Sequence, residues 1–149
     1  MKTLNYTVTI NENPERVFHV LLDKSVYADW AKAWGEGMTY QGEWKKGGHV
    51  SFFDNKQGGT KVIIEEFIPP LNIKAKHIAM VDTNGNELEP SDEMMRKWIG
   101  SQENYQLSKL DEDSTRLDIT VVTDPIFEEM MKPWNEALLL LKGLCETRE

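Results

Sequence analysis

Cysteine is almost absent from this chain of 149 residues, in which Cys145 carries the single thiol. An internal disulfide is therefore impossible, and nothing in the sequence requires an oxidising compartment. Long apolar runs are also missing, because the longest, residues 137–141, is far shorter than the roughly 20 residues of a membrane-spanning helix. The first ten residues alternate in polarity and do not resemble a signal peptide, so we expect a cytoplasmic protein.

Basic side chains are scarce relative to acidic ones, with 17 lysines and arginines against 25 aspartates and glutamates. The formal charge of −8 repels nucleic-acid phosphates and anionic lipid surfaces, so we expect no nucleic-acid partner and no membrane insertion. His19, His49 and His77 show no metal-ligand spacing. The paired glycines fall in hairpin turns instead of a phosphate-binding loop. We therefore expect no metal and no cofactor.

Apolar and aromatic residues are plentiful enough for one hydrophobic core. Hydrophobic residues make up 40% of the chain, including five tryptophans, five phenylalanines and four tyrosines. Because a chain of this length matches one domain of ordinary size, we interpret residues 1–149 as a single domain.

Alternation of apolar and polar residues dominates the start and the middle of the chain. Leu4, Tyr6, Val8 and Ile10 alternate with polar residues and predict a first strand. Between residues 38 and 123 the same alternation, interrupted by glycine-rich turns, predicts five or six further antiparallel strands. An antiparallel sheet of this kind needs a helix to cover its apolar face, which indicates an α+β fold.

Three short helices are expected among these strands. Asn13 can cap the first, and Pro14 can occupy its first position because no hydrogen bond is lost there. Asp23 or Ser25 can cap the second, and Ser91 can cap a third within residues 91–98.

The chain ends in a longer helical pattern that begins after Asp124, a capping carboxylate followed by proline. Pro133 lies inside this pattern. Because a proline removes one backbone hydrogen bond and clashes with the carbonyl four residues earlier, we expect a kink or break near Glu129. The pattern predicts a long buried stripe made of Phe127, Met130, Met131, Trp134, Leu138, Leu141 and Cys145.

Several short motifs accompany this order of elements. They are Pro14-Glu15-Arg16-Val17-Phe18 with Leu21 and Trp30, the turn Lys46-Gly47-Gly48, residues 65–71, Thr115-Arg116-Leu117, and Trp134 with Leu138, Leu141 and Lys142. Together with the order of elements, these motifs resemble the helix-grip fold of the START-like (SRPBCC) superfamily, especially its activator-of-heat-shock-ATPase-like group. The resemblance implies an α+β helix-grip fold: a curved antiparallel sheet of about six to seven strands around a long C-terminal helix. Two short helices follow its first strand. It also implies a cavity between the sheet and that helix, but no shared catalytic motif.

Aromatic side chains dominate the residues expected at such a cavity, although ordinary core packing is the more frequent role of such residues. Trp30 and Trp34 are one helical turn apart, and His77 alternates with apolar residues and should face inward. The predicted ligand-binding residues are Trp30, Trp34, Phe52, His77, Trp98, Tyr105, Phe127, Met130 and Trp134.

Three functions are consistent with this pattern. The first is noncatalytic binding of a small apolar molecule of lipid, aromatic or polyketide-like type. The second is a small cyclase-type or hydrolase-type enzyme in which His77 and Tyr105 transfer protons. The third is a protein-interaction or chaperone-associated module, with Leu139 and Leu140 contributing to a possible homodimer.

Overall fold

The computed structural model describes residues 1–147, and an eight-stranded antiparallel sheet is its central feature. The strands are β1 (Lys2–Ile10), β2 (Thr39–Gly42), β3 (His49–Asp54), β4 (Gly58–Ile68), β5 (Asn72–Val81), β6 (Glu87–Leu88), β7 (Gln102–Asp111) and β8 (Ser114–Thr123). They follow the order β1-β8-β7-β5-β4-β3-β2, and the two-residue β6 pairs with β5. The expected α+β fold is confirmed, with β6 as an additional short strand.

Helices cover the concave face of this sheet. They are α1 (Pro14–Leu22), α2 (Tyr27–Ala31), α3 (Glu93–Trp98), α4 (Glu128–Met131) and α5 (Trp134–Glu146), and a 3-10 turn (Pro125–Phe127) precedes α4. α5 packs against β1, α1 and α2, with Leu138, Leu141 and Cys145 buried on its inner face. Each leucine buried in this way contributes about 1.5–3 kcal/mol to the free energy of unfolding. No helix within residues 1–147 is long and apolar enough to cross a membrane.

Two predictions about helix ends are confirmed: the Asn13 cap of α1 and an interruption of the last helical segment by proline. The side chain of Asn13 accepts the backbone N–H of Arg16 at 2.8 Å and caps α1. The final helical segment is broken at Pro133, between α4 and α5. Because Pro133 has no N–H for the Glu129 carbonyl, that carbonyl accepts the N–H of Lys132 at 3.3 Å. The break thus lies a few residues beyond the expected position near Glu129.

Two predicted caps were wrong. Neither Asp23 nor Ser25 caps α2, because Asp23 accepts both the backbone N–H and the hydroxyl of Ser25 in a local turn. α3 is capped by Asp92 instead of Ser91, with the Asp92 carboxylate accepting the N–H of Met95 at 2.8 Å. In both places an aspartate accepts hydrogen bonds from nearby residues, at Asp23 in a turn before α2 and at Asp92 as the cap of α3.

A bulge in β5 determines which of its side chains face the helices. In β4, Lys61 pairs with Ala79 and the next residue, Val62, pairs with His77. Ile78 therefore has no pairing partner in β4. One extra residue shifts the alternation of side chains between the two faces. His77 and Met80 therefore both face the concave side, although they are three residues apart.

Candidate functional site

A cavity of about 440 Å³ lies between the sheet and the segment that contains α3, α4 and the start of α5. His77, Glu103, Tyr105 and Trp134 form its buried end, and each is less than 10% exposed. Met130 is 57% exposed and lies at its mouth. Pockets for small molecules usually measure about 300–1,000 Å³, so this cavity is large enough for a compact ligand.

The structure brings all of the predicted ligand-binding residues to this one cavity, and their contact with a ligand stays a prediction. Met130 alone differs from expectation, because it is exposed at the mouth instead of belonging to the buried stripe of the last helices. The lining residues on that list are Trp30, Trp34, Phe52, His77, Trp98, Tyr105, Phe127, Met130 and Trp134. Residues that the sequence analysis did not select include Tyr27, Met38, Thr60, Met80, Glu103 and Met131.

Trp134 is the centre of the aromatic wall. Its ring stacks on Trp30 with centroids 5.8 Å apart and meets Trp34 edge to face at 4.9 Å. Tyr105 approaches the same ring edge to face at 5.9 Å. Such pairs add about 0.5–1.5 kcal/mol each beyond the burial of apolar area, so they hold this side of the cavity in one arrangement.

Two contacts hold the 3-10 turn and α4 over the cavity. The indole N–H of Trp34 donates to the backbone carbonyl of Met130 at 3.2 Å. The ring of Trp98 meets that of Phe127 edge to face, with centroids 5.0 Å apart. The 3-10 turn and α4 are therefore attached to the turn after α2 on one side and to α3 on the other.

Thr60 is the centre of a polar cluster around His77. Its hydroxyl accepts the indole N–H of Trp98 at 2.9 Å and donates to the carbonyl of Ala79 at 3.2 Å. His77 Nδ1 lies 2.8 Å from the same hydroxyl oxygen. The one hydrogen of this hydroxyl can go either to Ala79 or to Nδ1, so the direction of the hydrogen bond to His77 depends on the tautomer of the ring.

Glu103 is the second polar group at the buried end. Its Oε1 accepts the indole N–H of Trp134 at 3.1 Å, and its Oε2 lies 3.4 Å from Nε2 of His77. No hydrogen bond joins these last two atoms, and Nε2 has no hydrogen-bond partner within residues 1–147. Burial, together with the Glu103 charge, raises the pKa of Tyr105 well above its usual value, so its hydroxyl stays protonated and can donate.

Glu103 and Thr60 line the cavity but were not predicted as site residues, for different reasons. Glu103, Tyr105 and Leu107 are two residues apart along β7, so their side chains point to the same face of the sheet, which is the buried one. That signal was available in the sequence. Thr60 follows Gly58 and Gly59, a pair typical of the glycine-rich turns expected in this region, whereas β4 begins at Gly58. No local pattern marks the contact of Thr60 with His77.

Two other chemistries have little support at this site. Cys145 is fully buried, and burial raises the pKa of its thiol to about 12, which disfavours the reactive thiolate at neutral pH. Within residues 1–147 no group of three or more histidines, cysteines or carboxylates is arranged to hold a metal ion.

No known family model matches this chain, and no curated protein matches it either. Solved structures do. The Aha1 dimer from Colwellia psychrerythraea superposes with a TM-score of 0.71 at 19% identity, covering 98% of this chain and 97% of the other. Protein MLL2253 from Mesorhizobium loti gives a TM-score of 0.77 at 13% identity, with 99% of both chains covered.

A third similar structure is PFC0360w from Plasmodium falciparum, described as an HSP90 activator, with a TM-score of 0.68 at 16% identity. The alignment covers 97% of this chain and 96% of that protein. At these identities the likeness concerns the fold and not the activity. The chain therefore shares the helix-grip fold of these Aha1 and HSP90-activator structures.

Proposed function

We propose that this chain binds a small, mostly apolar molecule in the cavity between the sheet and the terminal helices. The observation that supports this proposal most is the combination of apolar walls with unpartnered polar atoms. Nε2 of His77 and Nε1 of Trp30 are buried and have no hydrogen-bond partner within residues 1–147. A buried polar atom without a partner costs about 1–3 kcal/mol, which a ligand with a matching group recovers.

The lining favours a ligand with a ring or a flexible apolar body, as in lipid-like, aromatic or polyketide-like molecules. Aromatic rings on α2, α5 and the sheet supply flat apolar surfaces. Methionines supply adaptable ones, because a thioether chain adjusts to partners of different shape. The methionines that line the cavity are Met38, Met80, Met94, Met95, Met130 and Met131.

Filling the cavity is expected to weaken the binding of a neutral fluorescent probe. N-phenyl-1-naphthylamine should bind the wild-type protein with enhanced fluorescence, and Met80→Trp should weaken its affinity about tenfold or more, because the added ring occupies the site. Met80 is suitable because it faces the cavity from β5 and is only half-buried. Fluorescence titration measures both dissociation constants.

The matched control is Leu110→Trp. Leu110 is 53% exposed and does not line the cavity, so the same ring placed there should leave the affinity unchanged. Equal probe binding by wild type and Met80→Trp would contradict the proposed site. A wild-type protein that binds no neutral apolar probe would contradict the proposed function itself.

Self-association is a second proposal. The solved Aha1 protein from Colwellia psychrerythraea is described as a dimer, and Leu139 of this chain is 65% exposed on α5. If that face joins two copies, Leu139→Glu should convert a dimer to a monomer, because it places a charge in an apolar contact. Sedimentation equilibrium gives the mass. A wild-type monomer, or a variant that remains dimeric, would exclude this face.

A catalytic role of His77 and Tyr105 stays a prediction. What supports it is the buried polar cluster that both residues share with Glu103. What favours binding over turnover is the aromatic enclosure of that cluster and the superfamily's lack of a shared catalytic motif. We therefore rank ligand binding first.

A further inference from the structure

We propose that the cavity selects a flat aromatic ring system without an anionic head group, in preference to saturated rings and alkyl chains of similar size. This inference rests on the proposed ligand binding and narrows the ligand types named there to one. It follows from the kinds of apolar side chain that line the cavity, from the arrangement of their rings and from the charges of the polar lining residues.

Aliphatic side chains are missing from the wall of the cavity within residues 1–147. Every apolar side chain that lines it is aromatic or methionine, and no alanine, valine, leucine or isoleucine is among them. Four of the five tryptophans and six of the seven methionines of the chain lie there. The largest fully buried side chains are all leucine, isoleucine or valine, and none of them lines the cavity. The fold thus separates an aliphatic core from a cavity wall of rings and thioethers.

Rings and thioethers favour an aromatic ligand for reasons that go beyond the burial of apolar area. Aromatic rings attract one another in stacked or edge-to-face arrangements, which saturated rings and alkyl chains cannot form. The sulfur of methionine also makes favourable contacts with the edge of an aromatic ring. An alkyl chain gains mainly from burial of its area, and immobilising its rotatable bonds costs entropy. A rigid, flat ring system therefore makes the fullest use of this wall.

Two separate groups of rings border the cavity. In the first, Trp134 contacts the rings of Trp30 and Trp34. In the second, Trp98 meets Phe127 edge to face. No ring pair within residues 1–147 joins these two groups, although both line the same cavity. We place the ring system of the ligand between them, where it makes ring contacts on both sides that the protein does not make by itself.

The polar lining residues disfavour an anionic head group, which separates this ligand from fatty acids and aromatic acids. Three carboxylates, Asp54, Asp92 and Glu103, line the cavity, whereas no lysine or arginine of residues 1–147 does. Hydrogen bonds from the backbone N–H groups of Gln57 and Lys56 lower the pKa of Asp54, so its side chain is an anion at neutral pH. An anionic ligand would therefore lose its hydration without gaining a lysine or arginine partner, which is costly.

Four probes of eleven carbon atoms each test the proposal: naphthalen-2-ylmethanol, its decahydro analogue, undecan-1-ol and naphthalene-2-carboxylate. The first three share a hydroxymethyl head and differ only in the carbon skeleton. We expect naphthalen-2-ylmethanol to bind about tenfold or more tighter than either saturated alcohol, and tighter than the carboxylate. Displacement of fluorescent N-phenyl-1-naphthylamine measures all four affinities. Because the saturated skeletons are the more hydrophobic ones, burial of apolar area alone gives the opposite order among the alcohols.

Phe127→Leu tests whether the lining rings cause the preference. Leucine keeps an apolar side chain at the cavity but removes one ring of the second group. The ratio of the dissociation constants of the decahydro analogue and naphthalen-2-ylmethanol should therefore fall about threefold or more. Phe67→Leu is the matched control, because Phe67 is partly buried in the core but does not line the cavity, and it should keep the ratio. Circular dichroism establishes whether each variant is folded. If Phe127→Leu does not fold, the order of the probes on the wild-type protein still decides the outcome.

The outcomes separate this inference from the proposed function. Tightest binding of naphthalen-2-ylmethanol, with a ratio that falls in Phe127→Leu and not in Phe67→Leu, supports both. A saturated alcohol or the carboxylate that binds equally well or better overturns the aromatic preference and leaves ligand binding intact. An unchanged ratio in folded Phe127→Leu overturns the placement between the two groups of rings, and so does a failure of naphthalen-2-ylmethanol to displace bound N-phenyl-1-naphthylamine. No binding of any neutral apolar probe overturns the proposed function and this inference with it.

Discussion

Trp134→Ala is expected to lower the free energy of unfolding by about 3–5 kcal/mol, as large aromatic truncations in a core do. Trp134 is 3% exposed at the start of α5 and contacts the rings of Trp30, Trp34 and Tyr105. Its removal leaves a void next to the existing cavity, where no neighbour can collapse without losing its own ring contacts. The free energy of unfolding of a folded protein is typically about 5–15 kcal/mol, so this one substitution should remove a large fraction of it.

Trp134→Phe separates the ring contacts from the hydrogen bond. Phenylalanine keeps an aromatic ring against Trp30 and Tyr105 but has no N–H for Oε1 of Glu103. A buried carboxylate oxygen that loses its donor costs about 1–3 kcal/mol. The free energy of unfolding of Trp134→Phe should therefore lie between those of the wild type and Trp134→Ala.

Urea unfolding followed by circular dichroism gives the free energies of all three proteins, provided that the slopes agree. Met130→Ala is the control, because Met130 is 57% exposed and such surface changes usually stay within about 0.5 kcal/mol. A loss below about 1 kcal/mol in Trp134→Ala would show that this ring does not carry the packing assigned to it here.

The fold was largely predictable because its signals are local and periodic. Alternation along β1 and β8 survives in the structure as alternating burial, and the Asn13 cap and the Pro133 break depend on neighbours a few residues away. A likeness to the helix-grip fold was therefore visible from the order of such signals. Solved structures with the same fold agree with it at identities of 13–19%.

The buried end of the cavity was less predictable because it depends on pairing between strands. The phase of β7 directs Glu103 inward, but its approach to His77 requires β7 to lie beside β5. The bulge at Ile78, which lets both His77 and Met80 face the cavity, leaves no mark in the local pattern. Register and bulges are properties of two strands together, so one strand's sequence does not specify them.

Cavity volume was the least predictable quantity. The same apolar stripe on the last helices could pack solid or leave space, and the alternation in the sequence is identical in both cases. In the structure the helix is broken at Pro133, between α4 and α5, and Met130 lies at the mouth of the cavity and Trp134 at its buried end. A sequence pattern predicts which side chains face the interior, but it does not predict how tightly they pack or how much cavity volume remains.

Gly59→Ala and Gly143→Ala are expected to change stability in opposite directions, although each adds one methyl group to glycine. Gly59 lies within β4, where it pairs with Phe53 and with Val81. A Cβ at Gly59 would lie 1.8 Å from the backbone oxygen of Phe52 and 2.8 Å from the Cα of Phe53. These are backbone atoms of the paired strand, so the strands must separate to admit it.

Relieving such a contact typically costs about 1–3 kcal/mol, and more where the backbone cannot shift. Gly59 has strands on both sides, so we expect the upper end of that range or beyond. Gly59 also lines the cavity, so a displaced β4 should weaken binding of N-phenyl-1-naphthylamine as well.

Gly143 provides the matched comparison. It lies on the exposed side of α5, and no atom outside its chain neighbours and the local helix backbone is within 4 Å of a Cβ built there. Alanine in a helix costs less backbone entropy on folding than glycine, so Gly143→Ala should raise the free energy of unfolding by about 0.5–1 kcal/mol. Thermal and urea unfolding of both variants measure the difference. Equal stability of the two alanine variants would mean that β3 and β4 do not approach as closely as this structure shows.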